Sequence, residues 1–435
     1  MNRSKKFLFT SFLLLILSGN LFAEPPAAEF HSLTLQDCYQ LALKQSETVS
    51  IRQQEIETAK SQMFTAASQG LGDIDFVMTN SRQEPQEVAA SGGSVGSTLT
   101  ASERRERKFK ISQPLFQGFK SYGAIVGAGS LKKQRGEEKK RAEELLFLDV
   151  ADAYYGVFRY RKDTEILEGI QHLYQERVGE LNEREQIGRS RVSEIATAQA
   201  RMKILEAKLA IARASLRVAQ HGLSFLTGLE MNAGLLREED VPNPTDTQRP
   251  FSLEGAEERA DVEAARQAVK TAKQGIVVAQ SGLWPEITLD SNLYEKREGF
   301  QSGIDWDVLF TIKVPLFKGG ETVGEIKQAM SEWKKAKYSY SLAERQAEFE
   351  IKEAYEYWVA SLQESKLLED ARAASEENFR LQKEDYLRSL VNNLDVLEAL
   401  ESLQDTRREA VRAHYEMKEN YWQLAVATGR LNESL

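Results

Sequence analysis

The nine prolines of this 435-residue chain leave two long stretches empty: none lies between Leu115 and Val241, and none after Leu316. A proline inside a helix removes a backbone hydrogen bond and clashes with the preceding turn, at about 3 kcal/mol. Long helices can therefore form only in these gaps. Both gaps are rich in Ala, Glu, Leu, Lys, Arg and Gln, which favour helix. Ile195, Ala198, Met202, Leu205, Leu209, Ala212, Leu216, Ala219, Leu223 and Leu226 alternate by three and four, the seam of a coiled coil. Leu146, Val150, Ala153, Val157 and Tyr160 repeat the pattern upstream. Gly118 to Gly188 predicts a helix of about 100 Å, and Gly319 to Ser389 a second. Shorter helices are expected over 33–69, 192–226, 255–282 and 391–427.

The chain also repeats itself. Pro114-Leu-Phe-Gln-Gly118 returns as Pro315-Leu-Phe-Lys-Gly319, "GRSRVSEI" as "LRSLVNNL", and "LTGLE" (226–230) as "ATGRL" (427–431). One similar offset separates all three pairs, which predicts an internal duplication. The expected divisions are a first repeat over 24–232, a linker over 233–252 and a second repeat over 253–435. "VPNPTDTQRPFS" in the linker is rich in Pro, Thr and Asp and reads as exposed chain.

Between the short and long helices the period changes to two. Ile304, Trp306, Val308, Phe310, Ile312 and Val314 alternate with Asp305, Asp307, Leu309, Thr311 and Lys313, which predicts a strand with one apolar face. "PEITLDSNLYE" is its hairpin partner, and "DIDFVMT" with a return strand ending in "RKFKISQPLF" forms the pair of the first repeat. Arg104, Arg105, Arg107, Lys108 and Lys110 of that return strand are expected above any apolar band. Strands of about ten residues span a bilayer when tilted. Four strands close no membrane barrel, since the smallest have about eight, so a membrane reading requires an oligomer. A soluble sandwich with helical arms, or a periplasmic coiled-coil adaptor or scaffold, is the competing reading.

Residues 1–23, with Arg3, Lys5 and Lys6 before an apolar run, fit a secretory signal peptide. The only cysteine is Cys38, so no disulfide framework is expected, and Cys38 reads as a small buried side chain. The net charge of −9 without a basic stripe argues against a nucleic-acid partner. "GGSVG" lacks the strand–helix context of a nucleophile elbow, and no histidine has a partner at metal-ligand spacing. No cofactor, metal or enzymatic role is expected.

The opening "LTLQDCYQLALKQSETV", the two strand–Pro-Leu-Phe–Gly–helix phrases, the turns near 188–195 and 388–395 and the terminal "ATGRL" together resemble the TolC-like outer-membrane efflux protein family. The resemblance covers the whole mature chain. It implies a mainly α fold with a small β part, and a homotrimer whose four strands per chain make a 12-stranded barrel above an α-helical tunnel. A periplasmic adaptor, an inner-membrane transporter and outer-membrane lipid are the implied partners. It also implies a periplasmic gate in which an acid on one hairpin bonds a tyrosine on the other, here Glu194 and Tyr386, with Asp395 and Glu398 forming acidic rings. Val391 stands where the family lock has an arginine. Gly188, Arg189, Ser190, Arg388 and Ser389 fall on the adaptor-facing turns. The strand–helix joints fall at Pro114, Phe116, Gly118, Pro315, Phe317 and Gly319, and the lipid-facing strand at Trp306, Val308, Phe310 and Ile312.

Overall fold

The computed structural model describes residues 32–82, 103–241, 255–298 and 302–431. The expected signal peptide falls outside them, as do 83–102 and the linker residues 242–252. Two successive units share one order. The first runs α1 (Leu35–Gln45), α2 (Glu47–Ser68), β1 (Asp73–Arg82), β2 (Glu103–Gln117), α3 (Lys120–Gln186) and α4 (Val192–Thr227). The second runs α5 (Ala260–Gln280), β3 (Glu286–Arg297), β4 (Trp306–Lys313), α6 (Glu321–Leu387) and α7 (Asn393–Ala427). The strands form one antiparallel sheet in the order β1-β2-β3-β4. No described helix is long and apolar enough to cross a membrane.

The expected first helix is two helices. Ser46 adopts extended angles, and its hydroxyl accepts the Val49 N–H, so it ends α1 and caps α2. The long helices α3 and α6 have 67 residues each, about 100 Å. Their propensity alone does not hold them straight; packed seams do. Ala198, Leu205, Leu209 and Ala212 of α4 are buried against Leu167, Ile170, Tyr174 and Leu181 of α3.

The largest core sits partway along the helices and is aromatic. Phe147, Tyr154, Tyr155 and Phe158 of α3 pack with Tyr415, Tyr421 and Trp422 of α7 and with Cys38 and Tyr39 of α1. Trp422 Nε1–H donates to the Tyr155 hydroxyl at 3.1 Å. Burial pushes the Cys38 thiol up to about 12, so it stays a neutral packing group. The segment after α4 crosses this core as a strap. Leu236 bridges Leu33, the Tyr154 hydroxyl donates to Arg237 O, and Lys418, 1% exposed, reaches Glu238, Glu239 O and Asp240 at 3.1–3.2 Å.

One acid here is poorly matched. Glu419 on α7 has Arg159 Nη1 only at 3.6 Å. Burial pushes its carboxyl up to about 7, helped by Asp152 and Glu416 and opposed by Arg159. A raised carboxyl pKa contributes stability below its ordinary value of 4.5 and loses it as pH rises through about 7. Replacing Glu419 with Gln should therefore raise the unfolding temperature at about pH 8 more than at about pH 5, measured on detergent-solubilised protein. An equal change at both pH values counts against a buried, protonated Glu419.

Candidate functional site

Directly opposed residues of an antiparallel sheet share a face. One row reads Phe76–Phe109–Leu293–Trp306 and the next Ile74–Ile111–Ser291–Val308, with Leu289–Phe310 and Phe116–Ile287–Ile312 beyond them. Trp306, Val308, Phe310 and Ile312 are all more than half exposed. The other face is polar and cross-linked. Ser112 Oγ donates to Asp290 at 2.7 Å, and Asn292 Nδ2 and the Tyr294 hydroxyl donate to the two oxygens of Asp307, each at 2.7 Å. Lys108 and Lys110 lie on this polar face, opposite Val77 and Asp75, rather than above the apolar band. The alternation that turns Phe109 and Ile111 one way turns the lysines the other. Arg104 and Arg105 sit at the far end of the sheet with Glu106 and Glu103.

The joints differ between repeats. β4 ends at Lys313, before Pro315, and Gly319 and Gly320 take positive φ of 59° and 90° before α6. Leu316 and Phe317 are almost fully exposed. In the first repeat the strand runs on through Pro114, paired with Thr288, and the register slips between Pro114 and Phe116. A bulge tolerates the missing N–H. Gly118 has φ 60°, and a Cβ there would meet Ser281 O at 2.6 Å. Phe119 occupies the place of Gly320 at φ 67°, its ring edge-on to Phe116 and Trp284.

At the opposite end, α3 turns into α4 and α6 into α7. Gly188 has φ 73° and Arg189 N–H donates to Arg184 O at 2.7 Å; Ser389 has φ 58° and Leu390 N–H donates to Asp385 O at 2.9 Å. Both are the same left-handed helix stop. Gly188 is thus equivalent to Ser389, and Glu194 to Asp395, at the offset that separates Pro114 from Pro315. The sequence pairing of Arg189 with Arg388 is two positions out, because it followed the shared letters and not the turn.

That equivalence explains both acids. Glu194 accepts from Ser190 Oγ at 2.6 Å and from Arg191 N–H at 3.3 Å; Asp395 accepts from Asn392 N–H at 2.9 Å. Each is the third residue of its helix and accepts the N-cap N–H; Asn392 Oδ1 returns a bond from Asp395 N–H at 3.1 Å and completes a capping box, whereas Arg191, whose guanidinium only donates, leaves the α4 box half made. Among the described residues no hydrogen bond joins Glu194 to Tyr386. Tyr386 is buried, and the guanidinium groups of Arg177 and Arg184 both stand over its ring, at 3.7 Å and 4.4 Å from the centroid. Arg177, 4% exposed, also donates through Nε to Asn393 Oδ1 at 2.9 Å and through Nη1 to Glu180 at 3.0 Å. Asn393 reaches Glu194 O at 3.5 Å. Glu398 is exposed, and Glu401 near it pairs with Arg201 of α4 at 2.8 Å. The sequence reading missed Arg177, Arg184 and Asn393. The signal for Arg177 was there: it interrupts the apolar stripe Ile170, Tyr174, Leu181 at a seam position.

Residues 254–430 match the family described as outer membrane efflux protein. The chain is 23% identical over 334 residues to outer membrane protein TolC of Vibrio cholerae, covering 74% of this chain and 76% of that one. It is 23% identical to alkaline protease secretion protein AprF of Pseudomonas aeruginosa, over the whole chain and 90% of the relative. The solved structure of the outer-membrane channel OprN superposes with a TM-score of 0.81 over 91% of this chain and 89% of the other, at 17% identity.

Left-handed backbone costs a non-glycine residue about 1 kcal/mol or more. Ser389→Gly should therefore stabilise the protein by about 1 kcal/mol, and Gly188→Ser should destabilise it by a similar amount. Denaturant midpoints check both; a destabilised Ser389→Gly would show that the serine is needed for something other than the turn.

Proposed function

We propose that this chain, a TolC-like outer-membrane efflux protein, is one of three identical subunits of a passive duct from the periplasm to the exterior. The observation that carries the reading is the sheet. Its one face is mainly apolar across all four strands, with Gln113 and Ser291 within it and Arg107 at its outer rim, its polar face is hydrogen-bonded behind, and it is mounted on helices of about 100 Å. In a bilayer the unpaired backbone of β1 and β4 has no water to bond, so the sheet must close with other chains. Three chains supply twelve strands. Trp306, Val308, Phe310 and Ile312 then face lipid, and the joints at Pro114, Phe116, Gly118, Pro315, Phe317 and Gly319 lie at the periplasmic border.

The helices support the same closure. Their neighbour order α2–α3–α5–α6 beside the sheet matches β1-β2-β3-β4, and further down it is α4–α3–α7–α6. Both outer edges are apolar. Ile204, Ile211, Val218 and Phe225 of α4 are exposed a heptad apart, and Leu342, Phe349 and Leu367 of α6 are exposed on the other edge. A head-to-tail contact between unlike edges closes a ring.

The turns at Gly188, Arg189, Ser190, Arg388 and Ser389 form the inner end, where a periplasmic adaptor docks and an inner-membrane transporter delivers cargo, in efflux or type I secretion. Glu194, Tyr386, Asp395 and Glu398 belong to its gate. Carboxylates gathered around one axis attract cations. Nothing in this role requires chemistry on the cargo.

The protein should fractionate with the outer membrane as a heat-modifiable oligomer; recovery wholly in the soluble periplasmic fraction overturns the duct. Ile211→Asp should abolish the oligomer, because a charge enters the α4 edge. Asp395→Asn with Glu398→Gln should lower the cation preference of the channel in planar bilayers, and unchanged selectivity removes both from the conducting path.

A further inference from the structure

The duct needs a hold on its inner end at rest. The acid–hydroxyl bond that the family resemblance implies is not formed within the chain, because Glu194 caps its own helix. We propose that Tyr386 is held by its ring, in a guanidinium clamp supplied by α3, and that Arg177 is the residue that positions the α6–α7 turn in the shut duct. This rests on the duct reading above.

The geometry is that of a clamp. Arg177 Cζ stands 3.7 Å from the centroid of the Tyr386 ring and Arg184 Cζ 4.4 Å. A guanidinium over an aromatic face is attracted by the ring quadrupole, most strongly where water is excluded. Water is excluded here: Tyr386 is 6% exposed and Arg177 4%. Leu181, Val396, Leu397 and Leu400 belong to the same buried cluster as Tyr386. Arg177 Nε also holds Asn393 Oδ1 at 2.9 Å, so one side chain of the first repeat grips both ends of the second-repeat turn, Tyr386 before it and Asn393 after it. Glu180, one turn along α3, fixes the guanidinium from behind at 3.0 Å. Lys383 reaches back to Glu180 at 3.5 Å and to Glu176 at 3.8 Å, a pair at the surface of the same contact.

A clamp of this kind differs from an acid–tyrosine lock in what it needs. It uses the ring and not the hydroxyl, it needs the planar guanidinium and not merely a positive charge, and with Tyr386 and Arg177 buried and Arg184 partly so it is little screened by salt.

The test is the resting open probability of the full-length oligomer in planar bilayers. Tyr386→Phe should leave the channel shut, whereas Tyr386→Leu and Arg177→Met should open it by about thirtyfold per chain, or about 2 kcal/mol at 1.4 kcal/mol per decade. Arg177→Lys should fall between wild type and Arg177→Met. Raising KCl from about 0.1 to about 1 M should leave wild-type closure unchanged. Opening by Tyr386→Phe equal to that by Tyr386→Leu, or a shut Arg177→Met channel, overturns the clamp while leaving the duct intact. Wild-type protein that forms no channel overturns the duct itself. Should Arg177→Met fail to assemble as a heat-modifiable oligomer, the Tyr386 pair alone decides.

Discussion

The two unpaired edges of a four-stranded sheet set the terms for everything else in this molecule. In water such edges are tolerated; in hydrocarbon each unbonded N–H and C=O costs several kcal/mol. A chain that brings only β1 to β4 cannot satisfy them, and the requirement passes to its neighbours. The helices obey it too. Because α2 leads into β1 and β4 leads into α6, the same two sides that lack strand partners lack helix partners. One ring closure therefore completes sheet and tunnel together, and the exposed heptad stripe of α4 is the helical counterpart of the open strand edge.

Within the chain, cohesion is concentrated away from that interface. The aromatic core around Tyr154, Tyr155 and Trp422 and the distal cluster around Leu205 and Leu397 each bind the two repeats to one another. Between them run ion pairs such as Arg408 with Asp163 and Arg407 with Glu376. Partly exposed pairs of this kind add little to stability, and they leave the helix faces wettable. The duplicated units have also diverged where it matters mechanically. The first strand–helix joint is pinned by Phe119 against Phe116 and Trp284, whereas the second has two glycines and an exposed Phe317.

Much of this was legible in the sequence because it rests on local rules. Proline avoidance located the long helices within a few residues, the three–four alternation located the α4 seam, and the two-residue alternation located β4. The parts that were not legible depend on partners distant in the chain. Ser46 breaks the first helix through a cap that competes with an otherwise continuous pattern. Pro114 stays inside β2 because β3 accepts a bulge there. The turn residues misaligned because shared Arg and Ser letters concealed the common left-handed stop at Gly188 and Ser389. The resemblance marks Glu194 and Asp395 as gate groups, whereas their hydrogen bonds to the N-cap N–H give both a local role. Arg177 was visible only as a charge in an apolar stripe, and its meaning required Tyr386 and Asn393 from the other repeat.

The strap across the aromatic core has a consequence for motion. Lys418, Tyr154 and the Leu33–Leu236 bridge fasten it to α3, α7 and the segment before α1, so the helices are hooped at one level. Below the hoop, α3 continues from Phe158 to Gln186 without a break, a lever of about 40 Å. With the hoop as fulcrum, a tilt of only about 5° sweeps the tip through about 3–4 Å, the width of a side-chain contact. A small tilt about the hoop thus moves the turn between α3 and α4 by a contact's width through leverage alone, with no helix unwinding.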